Sequence, residues 1–192
     1  MIRKAKVIGI LTAAFVLVVL FSCKPKKQQV EIKPLTDNIG EKFELTDIVD
    51  TSRNSVTLDF SASEINIVDI WHNECPPCLE EIKEVPDLIK GKEGKVAVYC
   101  LSMSQFWLWK KTMKEHKGAF DFLAVVEPNL KHYNLMTKDN PRFKNTISTD
   151  RLKELRRRYK MQWNPAYFVI DRNGKILSRP NSIVEFLKEL RQ

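Results

Sequence analysis

Cysteine and histidine, the side chains that most often bind zinc, are scarce in this sequence. Its 192 residues include 4 cysteines and 3 histidines, and a single Cys-x-x-Cys pair, Cys75 and Cys78, occurs. The histidines, His72, His116 and His132, are scattered along the chain. A zinc site takes four protein ligands, or three and a water molecule. The sequence therefore predicts no zinc site and no dissociable cofactor.

Long apolar runs are also lacking. The apolar stretch at residues 7–22, VIGILTAAFVLVVLFS, is shorter than the ~20 residues that span a bilayer, and it follows the basic start MIRKAK. This arrangement is typical of an export signal, so residues 1–22 are predicted to lie outside the fold. The remaining length and the 43% hydrophobic content predict one domain, and no internal repeat is visible.

The signal ends in Leu20-Phe21-Ser22-Cys23, which resembles the lipobox of bacterial lipoproteins. The resemblance implies that Cys23 is acylated and becomes the mature N-terminus, although Phe21 is bulkier than usual. An uncleaved anchor and simple secretion stay open as alternatives. We expect residues 23–39 to be the lipidated cysteine and a flexible tether, residues 40–192 to be the domain, and the protein to face the periplasm from a membrane.

The precursor has a formal net charge of +8. Removing the signal takes away three basic and no acidic residues, which leaves 29 basic against 24 acidic residues, or +5. Much of the remaining positive charge lies in residues 24–27 and 151–158. A tether near anionic lipid and a solvated helix face explain this charge better than nucleic-acid binding, because export separates the protein from nucleic acid.

Apolar patterning predicts a strand–helix–strand unit around the cysteines. Residues 65–71 form a dense β-branched run typical of a buried strand. The cysteine pair follows at once, and Pro76 and Pro77 suit the first positions of a helix. Residues 95–101 predict a second buried strand, and residues 105–116 a further helix. A crossover of this length implies parallel pairing.

The rest of the chain is less regular. Alternation in residues 43–46 and 56–60, across a polar turn, predicts an N-terminal hairpin. A short strand is predicted at 122–126, an irregular insertion at 128–149 and a helix at 150–160. Two strands, 165–170 and 175–178, flank the turn sequence DRNG, and a helix at 182–190 ends the chain.

This order of elements resembles the thioredoxin fold, and residues 40–192 are similar to the membrane-anchored TlpA/ResA-type thiol–disulfide oxidoreductases of the AhpC/TSA-redoxin group. The resemblance is sharpest in residues 67–78, IVDIWHNECPPC. It implies an α/β protein with a central mixed sheet flanked by helices, an N-terminal β-hairpin, and an insertion before a cis-proline loop.

The resemblance also assigns roles to single residues. Trp71 matches the family's tryptophan, Asp69 the buried acid of thioredoxins, and Glu81 the glutamate after the motif. We group Glu81 with Glu74 as residues that tune the pKa values of the site. Asn164 and Pro165 match the cis-proline loop, beside which an extended substrate pairs. We group Trp71, Asn164 and Pro165 as substrate-binding, with packing the alternative for Trp71 and loop stabilisation the alternative for Asn164. Departures from the family pattern at residues 72–74 and 128–149, and at Pro86, leave the substrate and the redox potential open.

The spacing of the cysteines suits disulfide exchange. Cys75 and Cys78 lie one helical turn apart at a bridgeable separation. The helix N-terminus favours the thiolate of Cys75, which we expect to be the exposed attacker, with Cys78 as the more buried resolving thiol. We expect Asp69, if buried, to have a raised pKa and to accept the Cys78 proton. A hydrogen-bonded core residue is the alternative role for Asp69.

Two further residues receive predictions. Glu74, next to Cys75, opposes its thiolate and should make the disulfide less oxidising, unless its side chain simply points to water. Cys100, within the second strand, is interpreted as a small core residue without a redox role.

The sequence therefore predicts a lipid-tethered periplasmic thiol–disulfide oxidoreductase. By resemblance, its partners are protein thiols and disulfides of the envelope and a membrane thiol electron donor, and it acts as a reductant. The alternatives are a non-catalytic binding lipoprotein and a Sco-like copper-handling protein, although copper sites of that type use wider cysteine spacing. A peroxidase is disfavoured because residues 71–74 lack the threonine and proline that precede a peroxidatic cysteine.

Overall fold

The β-branched run before the cysteines is an interior strand of the sheet. The computed structural model describes residues 36–114, 127–135, 149–161 and 165–190. The strands are β1 Ile48–Val49, β2 Ser55–Val56, β3 Ile65–Trp71, β4 Val96–Ser102, β5 Leu130–Leu135, β6 Ala166–Ile170 and β7 Ile176–Ser178. The helices are α1 Pro76–Ile89, α2 Phe106–Lys114, α3 Thr149–Arg158 and α4 Ile183–Glu189. No helix in these ranges is both long and apolar enough to cross a bilayer.

These strands form one sheet in the order β2-β1-β5-β4-β3-β6-β7. Strand β3 pairs parallel with β4, and β4 pairs parallel with β5, while β6 and β7 add antiparallel. The expected mixed sheet with flanking helices is confirmed. The predicted parallel crossover is also confirmed, because β3 and β4 pair in parallel and α1 connects them in the sequence.

Each face of the sheet has its own apolar core. On one face, side chains of β3, β4 and β6 pack against α1, α2 and α4. On the other face they pack against α3 and the N-terminal segment around Phe43. Successive residues of a strand point to opposite faces, so Trp71 and the cysteine pair belong to the first face and Ile70 to the second.

The hairpin prediction was right about the turn and wrong about the strands. Strands β1 and β2 are two residues each and lie on either side of Asp50, whose carboxylate accepts hydrogen bonds from the backbone N–H groups of Ser52 and Asn54. Residues 43–46 and 57–60 are not strands. Their alternation instead reflects Phe43 and Phe60, which pack against each other in the core on the α3 face of the sheet.

The predicted insertion at 128–149 contains strand β5, which is a correction. The sequence LKHYNL hides the strand because polar residues occupy buried places. Asn134, for example, is buried and donates to the carbonyls of Ser102 and Ser104 at 3.1 and 3.0 Å. Because the amide nitrogen is paired in this way, burying the side chain costs less than burying an unpaired amide. The strand predicted at 122–126 and residues 136–148 of the insertion lie outside the described residues.

The boundary between tether and domain differs from the expected residue 40. Asp37 pairs with Lys160 at 2.7 Å, and Asn38 donates to the Arg158 carbonyl at 3.0 Å. Residues 37–38, assigned to the tether from sequence, therefore contact the folded domain.

Candidate active site

The cysteine pair lies where β3 turns into α1. Cys75 is the N-cap residue of α1, and its Sγ accepts a hydrogen bond from the backbone N–H of Cys78 at 3.3 Å. Pro76 and Pro77 fill the first helical positions, where a missing N–H leaves nothing unsatisfied. The two cysteines form a disulfide with a Cα–Cα separation of 5.3 Å. A sulfur at a helix N-cap faces unpaired N–H groups, which favour its negatively charged form.

Cys75 is less accessible than the sequence suggested, whereas Cys78 is buried as expected. Cys75 is 6% exposed and Cys78 is completely buried. The expected order holds, since Cys75 alone offers any surface to a partner. A sulfur atom of a partner protein can therefore reach the pair only through the small exposed surface of Cys75.

Hydrogen bonds from the β4–α2 region hold the loop before the cysteines. The backbone N–H of Asn73 donates to the Ser104 hydroxyl at 2.7 Å, and the Asn73 amide donates to the Thr112 hydroxyl at 2.5 Å. The backbone N–H of Met103 donates to the Trp71 carbonyl at 2.7 Å. These contacts hold the loop at Trp71 and at Asn73. The sequence alone does not indicate these hydrogen bonds, because Asn73, Ser104 and Thr112 meet only in the folded chain.

Asp69 is completely buried on the same face of the sheet as the cysteine pair. Burial, together with the nearby Glu81 carboxylate, raises the pKa of Asp69 well above its usual range, and the Cys100 thiol opposes this shift. Within the described part of the chain, neither carboxylate oxygen of Asp69 makes a hydrogen bond of good geometry. The direction of this shift is the one expected from the sequence. The proton-accepting role of Asp69 and the alternative of a hydrogen-bonded core residue both stay predictions.

Glu81 connects three elements. Its Oε2 accepts a hydrogen bond from the Tyr167 hydroxyl at 2.6 Å and another from the backbone N–H of Ile183 at 3.0 Å. It therefore joins α1 to β6 and to the start of α4. Its charge also contributes to the raised pKa of Asp69, so the sequence-based assignment of Glu81 as a pKa-tuning residue has a physical basis. The part played by Tyr167 was not foreseen.

A row of titratable side chains crosses the sheet through Asp69. In the strand register, Asp69 pairs with Tyr167 of β6 on one side and with Cys100 of β4 on the other, and Cys100 pairs in turn with His132 of β5. Residues paired in this way share a face of the sheet. The row therefore faces α1 and the cysteine pair. Cys100 differs from the other core residues of β4 because it lies next to the Asp69 carboxyl group.

The remaining predicted residues are placed as follows. Glu74 is exposed, in agreement with either alternative for its side chain. Trp71 is completely buried, which favours packing over contact with a substrate. Pro165 is partly exposed and precedes Ala166, the partner of Ile70, so it lies at the end of β3 that leads to the motif. Asn164 and the Asn164–Pro165 bond lie outside the described residues, as does Cys23.

No second site competes with the cysteine pair among the residues that the structure describes. In the described ranges no three His, Cys, Asp or Glu side chains converge as ligands for a metal ion. A cleft of about 510 Å³ lies near Phe43, Phe60 and Gly174, on the face of the sheet opposite the cysteine pair, and neither cysteine lines it.

The sheet, its flanking helices and a cysteine pair at the N-terminus of α1 together define a thioredoxin-like α/β protein. The chain belongs to the Redoxin family, whose family profile matches residues 39–183. No curated protein matches the sequence.

Solved structures support the same fold. The chain is similar to a thiol:disulfide interchange protein from Bacteroides sp., with 19% sequence identity, a TM-score of 0.56, and coverage of 80% of this chain and 88% of that one. It is also similar to the thioredoxin domain of a thiol-disulfide oxidoreductase from Bacteroides vulgatus, with 17% sequence identity, a TM-score of 0.52, and coverage of 80% of this chain and 98% of that one. A thioredoxin-related protein from Neisseria meningitidis serogroup B matches with 12% sequence identity, a TM-score of 0.51, and coverage of 74% of this chain and 93% of that one. At these identities the likeness establishes the fold, and together with the family it supports a thioredoxin-like oxidoreductase at family level.

Proposed function

We propose that this protein is a membrane-tethered periplasmic thiol–disulfide oxidoreductase of the TlpA/ResA type, which exchanges disulfides with protein substrates through Cys75 and Cys78 and acts as a reductant. One observation carries the proposal. Cys75 is at once the N-cap of α1, where its Sγ accepts the Cys78 N–H, and the only one of the two cysteines with exposed surface. A purely structural disulfide needs neither property.

The geometry supports a defined order of events. In the reduced protein the Cys75 thiolate attacks one sulfur of a substrate disulfide, forming a Cys75–substrate bond and releasing the other substrate sulfur as a thiolate. Cys78 then loses its proton to the Asp69 carboxylate and attacks Cys75 Sγ. The mixed disulfide breaks, the Cys75–Cys78 disulfide forms, and the second substrate thiolate leaves. The substrate gains two electrons and the protein loses two.

The raised pKa of Asp69 suits this step. A carboxyl group with an ordinary pKa holds a proton poorly near neutral pH, whereas one with a raised pKa can take it up and release it there. Asp69 faces the helix that carries Cys78, on the same side of the sheet. Its proton would be released again when a thiol electron donor reduces the disulfide.

The proposed location rests on the sequence alone. An acylated Cys23 would hold the domain near the membrane through a cationic tether, within reach of envelope proteins and of a membrane thiol donor. The reducing direction rests on the resemblance, and it depends on the potential of the pair relative to that of its surroundings.

The test is a redox titration of the full chain in detergent against dithiothreitol or glutathione, with the disulfide followed by thiol labelling and mass spectrometry. A reversible two-electron transition near that of thioredoxin, about −270 mV, is the expected result and supports a reductant. A far higher potential would make the protein an oxidase or isomerase. Cys75→Ser and Cys78→Ser variants, which cannot form the internal disulfide, serve as controls.

Failure would point to the two alternatives. If the disulfide shows no reversible transition and reduced protein transfers no electrons to a model disulfide such as insulin, the chain is a binding lipoprotein that keeps the fold. If the purified protein carries stoichiometric copper that is lost in the cysteine variants, it is a copper-handling protein.

A further inference from the structure

We propose that Cys100 is a positioning residue for the exchange reaction: its thiol donates a hydrogen bond to the Asp69 carboxylate and so sets the pH at which that carboxylate can take the proton of Cys78. The proposal rests on the function proposed above and adds to it a third cysteine that forms no disulfide.

The backbone register places the two side chains together. Asp69 and Cys100 are direct partners in the parallel pairing of β3 with β4, and both side chains are completely buried. The two Asp69 oxygens have no partner of good hydrogen-bond geometry among the described residues. The S–H hydrogen rotates about the Cβ–Sγ bond, so the thiol can direct it to a neighbouring oxygen.

The other groups that face Asp69 cannot take this part. Tyr167, its partner on β6, directs its hydroxyl to Glu81. Glu81, from α1, brings a carboxylate and so opposes the charge of Asp69. His132, one strand beyond Cys100, has both ring nitrogens buried, and burial lowers its pKa to about 4. It is neutral near pH 7 and supplies no positive charge. Among these groups, the Cys100 thiol alone favours the carboxylate form.

The thiol stays protonated while it does so. Burial and the Asp69 carboxylate raise the pKa of Cys100 well above its usual value. A thiol that keeps its proton is a donor and a poor nucleophile. Cys100 therefore acts through Asp69 and does not exchange disulfides itself, which agrees with the sequence interpretation that it has no redox role of its own.

The test is the titration midpoint of Asp69 in the oxidised full chain, followed by the carbon-13 shift of its side-chain carboxyl group and assigned by loss of the signal in Asp69→Asn. Cys100→Ala removes the hydrogen-bond donor. Cys100→Ser, whose side chain is close in volume to that of alanine, keeps a donor. We expect the midpoint to move to higher pH in Cys100→Ala, and to stay at or below that of the parent in Cys100→Ser. An unchanged midpoint in Cys100→Ala, or equal upward shifts in both variants, would overturn the proposal.

Folding and function are controlled separately. Far-ultraviolet circular dichroism confirms that each variant is folded, and Cys100→Val, which fills the site without a donor, replaces Cys100→Ala if the latter does not fold. The midpoint of oxidised protein needs no turnover, so it tests Cys100 even if the proposed activity fails. In the active protein, the acid limb of the pH–rate profile should move to higher pH together with the midpoint. At a fixed pH on this limb, the rate should fall tenfold for each pH unit by which the midpoint rises. An acid limb that stays in place while the midpoint moves would contradict the link to the reaction.

Discussion

The buried carboxyl group of Asp69 lowers the stability of the protein at neutral pH. The unfolded chain gives up this proton near pH 3.8, whereas the folded protein does so only at higher pH. The folded state therefore binds more protons between the two values, and its stability falls as the pH rises through that window.

Replacing Asp69 by Asn removes this loss, because asparagine does not titrate. We expect Asp69→Asn to have a higher free energy of unfolding than the parent at pH 7, with the difference smallest below pH 3.8 and growing until the pH passes the folded pKa. Urea unfolding of the oxidised protein at a series of pH values measures it. A difference that is constant with pH would show that Asp69 does not titrate as described.

Glu74 tests a weaker effect at the same scale. It precedes Cys75 and is exposed, so its charge acts on the thiolate mostly through water. We expect Glu74→Gln to raise the reduction potential, by an amount on the order of 10–20 mV because exposed charges interact weakly. Redox titration at low salt measures the shift, which should shrink at high salt.

A matched control is Glu93→Gln, which removes the same charge beyond the far end of α1, about 20 Å along the helix from Cys75. It should leave the potential unchanged. An unchanged or lower potential in Glu74→Gln would mean that its side chain is turned away from the cysteines.

At the scale of elements, α1 carries both the chemistry and the packing. Its first turn presents Cys75 and Cys78, and its next turn presents Glu81, which binds Tyr167 of β6 and the backbone of Ile183 at the start of α4. The position of the cysteines is thus tied to the two elements that flank them.

Glu81→Ala should loosen this connection. It leaves the buried Tyr167 hydroxyl and the Ile183 N–H without their acceptor, and each unsatisfied group costs about 1–3 kcal/mol. We expect a loss of at least about 2 kcal/mol in the free energy of unfolding, measured by chemical denaturation.

Glu81→Gln separates charge from structure. Its carbonyl oxygen can accept the same hydrogen bonds, so most of the stability should remain, while loss of the carboxylate charge should move the Asp69 midpoint to lower pH. If Glu81→Gln is as destabilising as Glu81→Ala, the hydrogen bonds to Tyr167 and Ile183 depend on a charged acceptor.

At the scale of the whole molecule, the lipid proposed on Cys23 would determine where the reaction takes place. We expect protein purified from bacterial membranes to begin at Cys23 and to have a mass higher than that of the 23–192 polypeptide by its acyl groups. Cys23→Ser should lack this added mass and leave the membrane fraction or keep its signal. Mass spectrometry of intact protein decides, and an unmodified N-terminus released to the medium would indicate simple secretion.

Much of this protein follows from the sequence because local patterns decide it. The run at 65–71 is β-branched and apolar throughout, the prolines at 76–77 begin a helix, and the residues DRNG make a hairpin turn whose Gly174 adopts φ of +82°. These features depend on neighbours in the chain, and the structure confirms each of them.

Tertiary structure decided what depends on distant partners. Strand β5 was missed because the buried amide nitrogen of Asn134 finds its acceptors only in carbonyls of the β4–α2 region. Cys100 could not be connected with Asp69 before the register of β3 and β4 was known, and the acceptor role of Glu81 required β6 and α4 to meet α1. The sequence by itself determined the cysteine pair and the helix that presents it. The electrostatic surroundings of that pair come from four strands and a helix brought together, because the energies of buried charges depend on distances through space.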